Sequence, residues 1–216
     1  MKHAELPAWF YDVDVHTHDL RASADGAIVC ITPRESAEGL ARYSCGIHPW
    51  DAATATDSDF RALEQLCASP ACVAVGECGL DTKHRPTPTE SPSQAHLLAQ
   101  QQHCAESPTR EQLLAVQTPV FRRQIELSER LGKPLIIHCV GAVDELLALR
   151  RELRPRQPWI FHGFRGKPQQ ARQLTDHGIY LSLGPRSNPA VPATIPASFL
   201  LHESDTQKFY CCPIKD

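Results

Sequence analysis

The sequence has no long apolar run, no large excess of either charge and no cysteine framework. Its longest apolar stretches are under ten residues, far short of the ~20 needed to cross a bilayer. A formal net charge of -3 over 216 residues argues against a protein that coats nucleic acid through bulk electrostatics. Any affinity for phosphate must then be local, from a few loop residues or from bound metal. Nine cysteines are scattered singly apart from Cys211–Cys212. An odd count without framework spacing reads as reduced thiol, and with it a cytoplasmic setting. Residues 1–15 hold no basic segment followed by an apolar one, so no secretory leader is expected. Aromatic residues are only 6%, which leaves Trp50 and Phe164 as the candidates to stack a base. There is no internal repeat.

What the sequence does contain is a series of short apolar runs. Eight are rich in Val, Ile, Leu, Phe and Tyr: Trp9–Val15, Ala27–Ile31, Arg42–Ile47, Cys72–Gly76, Leu135–His138, Trp159–Phe161, Ile179–Leu183 and Ser198–Leu201. Most are continuous rather than alternating, as expected for strands buried on both faces. Helical patterns lie between them. Phe121, Ile125, Leu127 and Leu131 form one stripe, closed by Gly132 and Pro134, and Val143–Leu153 and Gln169–His177 also read as helices. Alternation of this kind predicts a parallel α/β barrel in one domain spanning 1–216. The length is short for a fold that typically takes ~250 residues. Residues 85–112, rich in Pro, Ser, Thr and Gln, read as a loop insertion with Gln94–Cys104 as a possible helical piece. The connection from His18 to Ala27 is too short for a normal barrel helix, and the four prolines of 184–197 argue against another.

Six candidate ligands fall at or just past the ends of these runs: His16, His18, Glu77, His138, His162 and Asp205. Strand ends from all round a parallel barrel converge on one mouth, so six together carry weight that none carries alone. In Asp14-x-His16-x-His18 the period of two puts both imidazoles on one face, with Asp14 as a supporting acceptor. Glu77, between Gly76 and Gly79, can bridge two cations, which a histidine cannot. A carboxylate at Asp205 could bind metal and also accept a proton from an attacking water. Taken singly, each has a plainer explanation: a surface or core histidine, or a glutamate in a turn. Two cations ~3.5–4 Å apart would clamp the attacking and leaving oxygens of a phosphoester. Mixed imidazole and carboxylate ligation suits zinc, with manganese or magnesium where oxygen ligands dominate. Arg34, Lys83, His84, Arg85, Arg165, Lys167 and Arg186 all follow strands, which makes Lys83 and Arg165 candidates for substrate phosphate.

In order, the segments DVHTH (14–18), GIHPW (46–50), GECGLD (76–81), ERLGKPLIIHC (129–139), FHGF (161–164) and IPASFLLHESD (195–205) resemble the TatD-type metal-dependent deoxyribonucleases of the amidohydrolase-like superfamily. The resemblance implies a distorted TIM (β/α)8 barrel with some outer helices short or missing. It further implies His16, His18 and Asp205 on one metal, His138 and His162 on another, Glu77 shared, and His48 near the substrate phosphate. Relatives of this kind cleave DNA, often as 3′-to-5′ exonucleases on single strands. The implied partner is therefore single-stranded DNA, with no membrane and a monomer or weak homo-oligomer. Two features depart from the pattern: Val140 stands where such proteins usually carry arginine, and only eleven residues follow Asp205, as in a compact member. Alternatives are hydrolysis of a small amide, ester or lactone, or a metal-binding relative without catalysis.

Overall fold

A computed structural model describes residues 4–84 and 107–206. Eight parallel strands lie in sequential order: β1 (Asp14–Thr17), β2 (Ala27–Ile31), β3 (Tyr43–Cys45), β4 (Cys72–Asp81), β5 (Leu135–Val140), β6 (Trp159–Phe161), β7 (Ile179–Leu183) and β8 (Leu200–His202). They form a nearly closed barrel. Among the described residues, four helices pack outside it: α1 (Asp57–Ala68), α2 (Arg110–Leu131), α3 (Val143–Leu153) and α4 (Pro168–Asp176). Among the described residues, the β1–β2 and β7–β8 connections carry only 3-10 turns, Leu20–Asp25, Pro192–Thr194 and Ala197–Phe199. This agrees with the short spacings. No helix among the described residues is long and apolar enough to cross a membrane.

Two boundaries differ from expectation, each for a local reason. Ala8–Tyr11 is a 3-10 turn that starts after Pro7, so β1 begins only at Asp14. The α2 helix starts at Arg110, inside the stretch read as a loop. Thr109 caps it through the Gln112 amide, and the Gln112 side chain returns a bond to the cap, a reciprocal pair that satisfies two amides at the helix start; Pro119 lies in its interior. The α1 helix has the same device, between Thr56 and Asp59. The remainder of the insertion, with Arg85 and Gln94–Cys104, and the Cys211–Cys212 tail lie outside the described residues.

Strand alternation sorts the barrel into two apolar compartments. Val29, Ile31, Val75, Ile137 and Leu181 face outward onto Phe121, Leu146 and Leu174 of the helices. Val15, Ile28, Ala74, Ile136, Ile160, Tyr180 and Leu201 pack together inside. Two residues further along most strands the inward positions turn polar: Cys30, His138, His162, Ser182 and Glu203. Chemistry thus sits one layer above the apolar plug, at the C-terminal mouth. Below, buried Arg150 donates to the carbonyls of Gln157, His177 and Gly178; burial lowers its pKa to about 10.

The ring closes at its mouth. Between β1 and the segment after β8, the Asp205 amide donates to the His16 carbonyl and the His18 amide to the Thr206 carbonyl, both at 3.1 Å. Asp14 accepts from the amides of His16 and Ser204, and the Thr17 and Thr206 hydroxyls are hydrogen-bonded. Asp14 therefore supports backbone here, where the sequence suggested support of an imidazole.

Candidate metal centre

Two bulges aim the site. Between β4 and β5, Val75 pairs with Leu135 and Cys78 with Ile137, so β4 spends one extra residue over that interval. A bulge of this kind turns a side chain that strict alternation would place elsewhere, and here it points Glu77 inward. The two glycines beside it are required. Gly76 and Gly79 have φ of 139° and 137°. A Cβ at either would stand 2.3 Å from the Ile136 carbonyl oxygen or 2.1 Å from that of His138. A second bulge, between Asp14 and Thr17 of β1, lies beneath His16.

Glu77 is 6% exposed and has five imidazoles around it. His162 Nε2 and His138 Nδ1 lie 2.7 and 2.8 Å from Oε1, and His48 Nε2 lies 3.3 Å away. His16 Nε2 and His18 Nε2 are 3.5 and 3.6 Å from Oε2. The structure thus brings His16, His18, His138 and His162 together on Glu77, with His48 as a fifth. Asp205 stands beside them: it lies three residues beyond β8 in a left-handed conformation, φ 47°, and its carboxylate groups with His16 and His162. A second set is His48, Glu77 and His138, and a third is His16, His18, Cys30 and Glu77. His162 thus lies within reach of His16 and Asp205 as well as of Glu77.

Burial drives the His16 imidazole well below its ordinary pKa, reinforced by His162; burial likewise lowers His48. For Glu77, burial is the largest influence and raises it, but His162, His48 and His16 together hold it well below the carboxylate range. His138 and His162 show the reverse balance. Burial pulls them down, and the carboxylates of Asp81 and Glu77, or of Glu77 and Glu203, carry them up.

Several residues of the site are not apparent from the run ends alone. Asp81 closes β4, and its Oδ2 takes hydrogen bonds from Trp50 Nε1 at 2.8 Å and contacts His138 Nε2 at 3.0 Å. Its Oδ1 accepts the amides of Lys83 and His84. His138 is therefore held between two carboxylates, which fixes its ring. Glu203 places its Oε1 3.6 Å from His162 Nδ1, and neither of its buried oxygens has a hydrogen bond. Two buried glutamines on α2, seven residues apart and so on one face, grip the loops. Gln117 pairs with both backbone groups of Asp81, and Gln124 with both of Ile47. The sequence signal for these was a polar residue inside an apolar helical stripe.

The basic candidates divide. Arg165 and Arg186 both reach Asp205 Oδ2, at 3.5 and 2.9 Å, and line a cleft of about 1390 Å³ together with His18, His48, Trp50 and Glu77. Arg34 instead pairs with Asp59 at the start of α1. The exposed Lys83 lays its aliphatic stem against Gly141, outside the residues that line the cleft. Of the two aromatic candidates, Trp50 is 46% exposed and stacks on His84 at 3.8 Å. Phe164 is buried against Phe161 in the wall of the same cleft.

Do these residues fit metal? Both ring nitrogens of His16 are fully buried with no hydrogen-bond partner. Leaving such groups unpaired costs about 1–3 kcal/mol each, and a ligated cation removes the cost on one of them. Histidines and carboxylates at strand ends are also the donor chemistry that zinc and similar ions take. The fold and this donor set define a class: a (β/α)8 barrel with a candidate divalent-metal centre at its mouth.

The chain belongs to the TatD related DNase family, whose model matches residues 30–208. It is 31% identical over 173 residues to a protein named 3′-5′ ssDNA/RNA exonuclease TatD from Cronobacter turicensis, covering 75% of this chain and 56% of that protein. It is 29% identical over 195 residues to the uncharacterized metal-dependent hydrolase YabD of Bacillus subtilis, covering 84% and 67%. The chain thus spans little more than half the length of several curated relatives it matches. Among solved structures, the TatD homologue YjjV of Escherichia coli superposes with a TM-score of 0.63 at 24% identity, over 92% of this chain and 82% of that one. At that identity the likeness is one of fold.

Proposed function

We propose that this protein is a two-metal phosphodiesterase that removes nucleotides from the 3′ ends of single-stranded nucleic acid. The observation that carries the reading is Glu77, a buried carboxylate with five imidazole nitrogens within 3.6 Å, beside an aspartate that two arginines reach. The names of the relatives support the substrate class. His16, His18 and Asp205 would hold one ion, His138 and His162 the other, and Glu77 both; zinc, manganese and magnesium are the candidates. When bound, such ions supply Lewis acidity at phosphorus and make the attacking water nucleophilic at neutral pH.

The chain's own residues do the rest. Arg165 and Arg186 offer guanidinium groups at the cleft wall, suited to the non-bridging oxygens of a phosphate. His48 sits on the same side and donates to the substrate phosphate. Asp205 accepts the proton of the attacking water, its side chain oriented by the two arginines. Asp81 holds His138 and Trp50 in register through one carboxylate, and the exposed Trp50 offers a terminal base a stacking surface worth ~1–3 kcal/mol. The test is incubation with end-labelled single-stranded DNA and RNA under magnesium, manganese, zinc or EDTA, beside Glu77→Ala and Asp205→Ala. A ladder from one end that requires metal and falls about a thousandfold in either variant is the expected result, since the ions contribute several kcal/mol. Unchanged activity in Glu77→Ala would overturn the reading. No cleavage by a protein that still binds metal would move it to a small ester, amide or lactone.

A further inference from the structure

We infer that Cys30 is a thiolate ligand to the ion held by His16 and His18, making that half of the centre a mixed nitrogen, oxygen and sulfur site. This deepens the metal-hydrolase reading above and rests on it. Strand β2 runs Ala-Ile-Val-Cys-Ile and is buried throughout. Val29 and Ile31 face the helices, while Ile28 packs into the apolar plug. Alternation then directs Cys30 inward, two residues above Ile28, into the layer that holds His138 and His162. Its Sγ and one donor atom each of His16, His18 and Glu77 all lie within 4.8 Å of one another. Donor atoms on a tetrahedral zinc with bonds of ~2.0–2.3 Å stand somewhat closer than that.

An independent observation points to a ligand at the same place. His16 is 0% exposed, and neither ring nitrogen has a hydrogen-bond partner, so the donor next to Cys30 is buried and unsatisfied. Cys67, Cys72 and Cys78 donate to the backbone carbonyls of Cys45, Ala74 and Ile136, as small apolar residues with a weak donor do. Among the described cysteines, Cys30 is the one grouped with the histidines. Binding replaces its S–H bond with a sulfur–metal bond and releases the proton to solvent. A thiolate is soft, so this ligand favours zinc or cobalt over magnesium or manganese at that position. The lone cysteine in an apolar strand thereby becomes a determinant of metal choice.

The experiment is titration of the metal-stripped full chain with cobalt(II), followed by absorption. The inference expects visible d–d bands together with a sulfur-to-cobalt charge-transfer band in the near ultraviolet, and loss of that band in Cys30→Ser. The variant should also bind zinc at least about tenfold more weakly, the cost of losing even an outer partner of a ligand, with manganese affinity little changed. Cobalt bound with d–d bands but no charge-transfer band in the unmodified chain would overturn the thiolate and leave the metal centre standing. Absence of any cobalt binding would overturn both. Should Cys30→Ser fail to fold, X-ray absorption at the zinc edge of the unmodified protein decides: one sulfur scatterer supports the inference, and none ends it.

Discussion

Two layers inside one barrel, separated by two residues along the strands, obey opposite rules. In the lower layer Val15, Ile28, Ala74, Ile136, Ile160 and Leu201 are almost wholly buried and their side chains form one apolar cluster. In the upper layer Cys30, Glu77, His138, His162, Ser182 and Glu203 are nearly as enclosed, yet the Ser182 hydroxyl, His162 Nδ1 and both Glu203 oxygens lack hydrogen-bond partners. The lower layer is what a stable core looks like. The upper layer carries unsatisfied polar groups that a core optimised for stability would not keep. The contrast shows where the fold holds its free energy and where it gives some up to gather donors.

The comparison can be broken from either side. The largest effect belongs to the plug. Ile160→Ala should lower unfolding free energy by about 2–5 kcal/mol, measured by urea denaturation, while the affinity for zinc stays close to that of the unmodified protein. A large loss of metal affinity instead would mean that the layers are not separable. Next comes removal of metal. If the ions bind only the folded state, chelation should cost about 2.7 kcal/mol relative to protein held at a hundredfold excess of metal over Kd, and Glu77→Gln should abolish that difference. The smallest effect has the opposite sign. Glu203→Met, which replaces two buried oxygens that make no hydrogen bond with an apolar side chain and gives up the contact with His162 Nδ1 at 3.6 Å, should stabilise the chelated protein by about 1 kcal/mol. It should also slow turnover about ten- to a hundredfold, because His162 loses its neighbour. A destabilised Glu203→Met would place that carboxylate among the structural groups.

Much of this architecture was legible because buried parallel strands write themselves as continuous apolar runs. Each of the eight runs overlaps an observed strand, although the first covers only Asp14 and Val15 of β1 and the fourth only half of β4, and the candidate ligands lie at or just past the ends of the runs. What escaped did so for physical reasons. The α1 helix announces itself by the Thr56–Asp59 cap more than by its apolar stripe. The bulges in β1 and β4 shift register without leaving a compositional mark beyond the glycines of Gly-Glu-Cys-Gly. Asp81 and Glu203 sit beside residues already chosen, and their importance lies in which imidazole they face, which is a matter of three dimensions. Cys30 looks like any apolar strand residue until β1 and β4 are folded against it.

The closure of the barrel is itself a consequence of where the donors are. Between β1 and β8 there is no strand ladder among the described residues; the first and last strands meet through Asp14, His16, His18 and residues 204–206. An ion shared by His16 and Asp205 would span that junction, so the hoop is buckled by the same atoms that serve its chemistry. With the buckle open, the sheet is a curled ribbon with two free edges, each a row of amides and carbonyls able to pair with a neighbouring molecule. A bound ion would therefore tighten a seam that the backbone hydrogen bonds already close, and the two edges stay covered as long as those bonds hold.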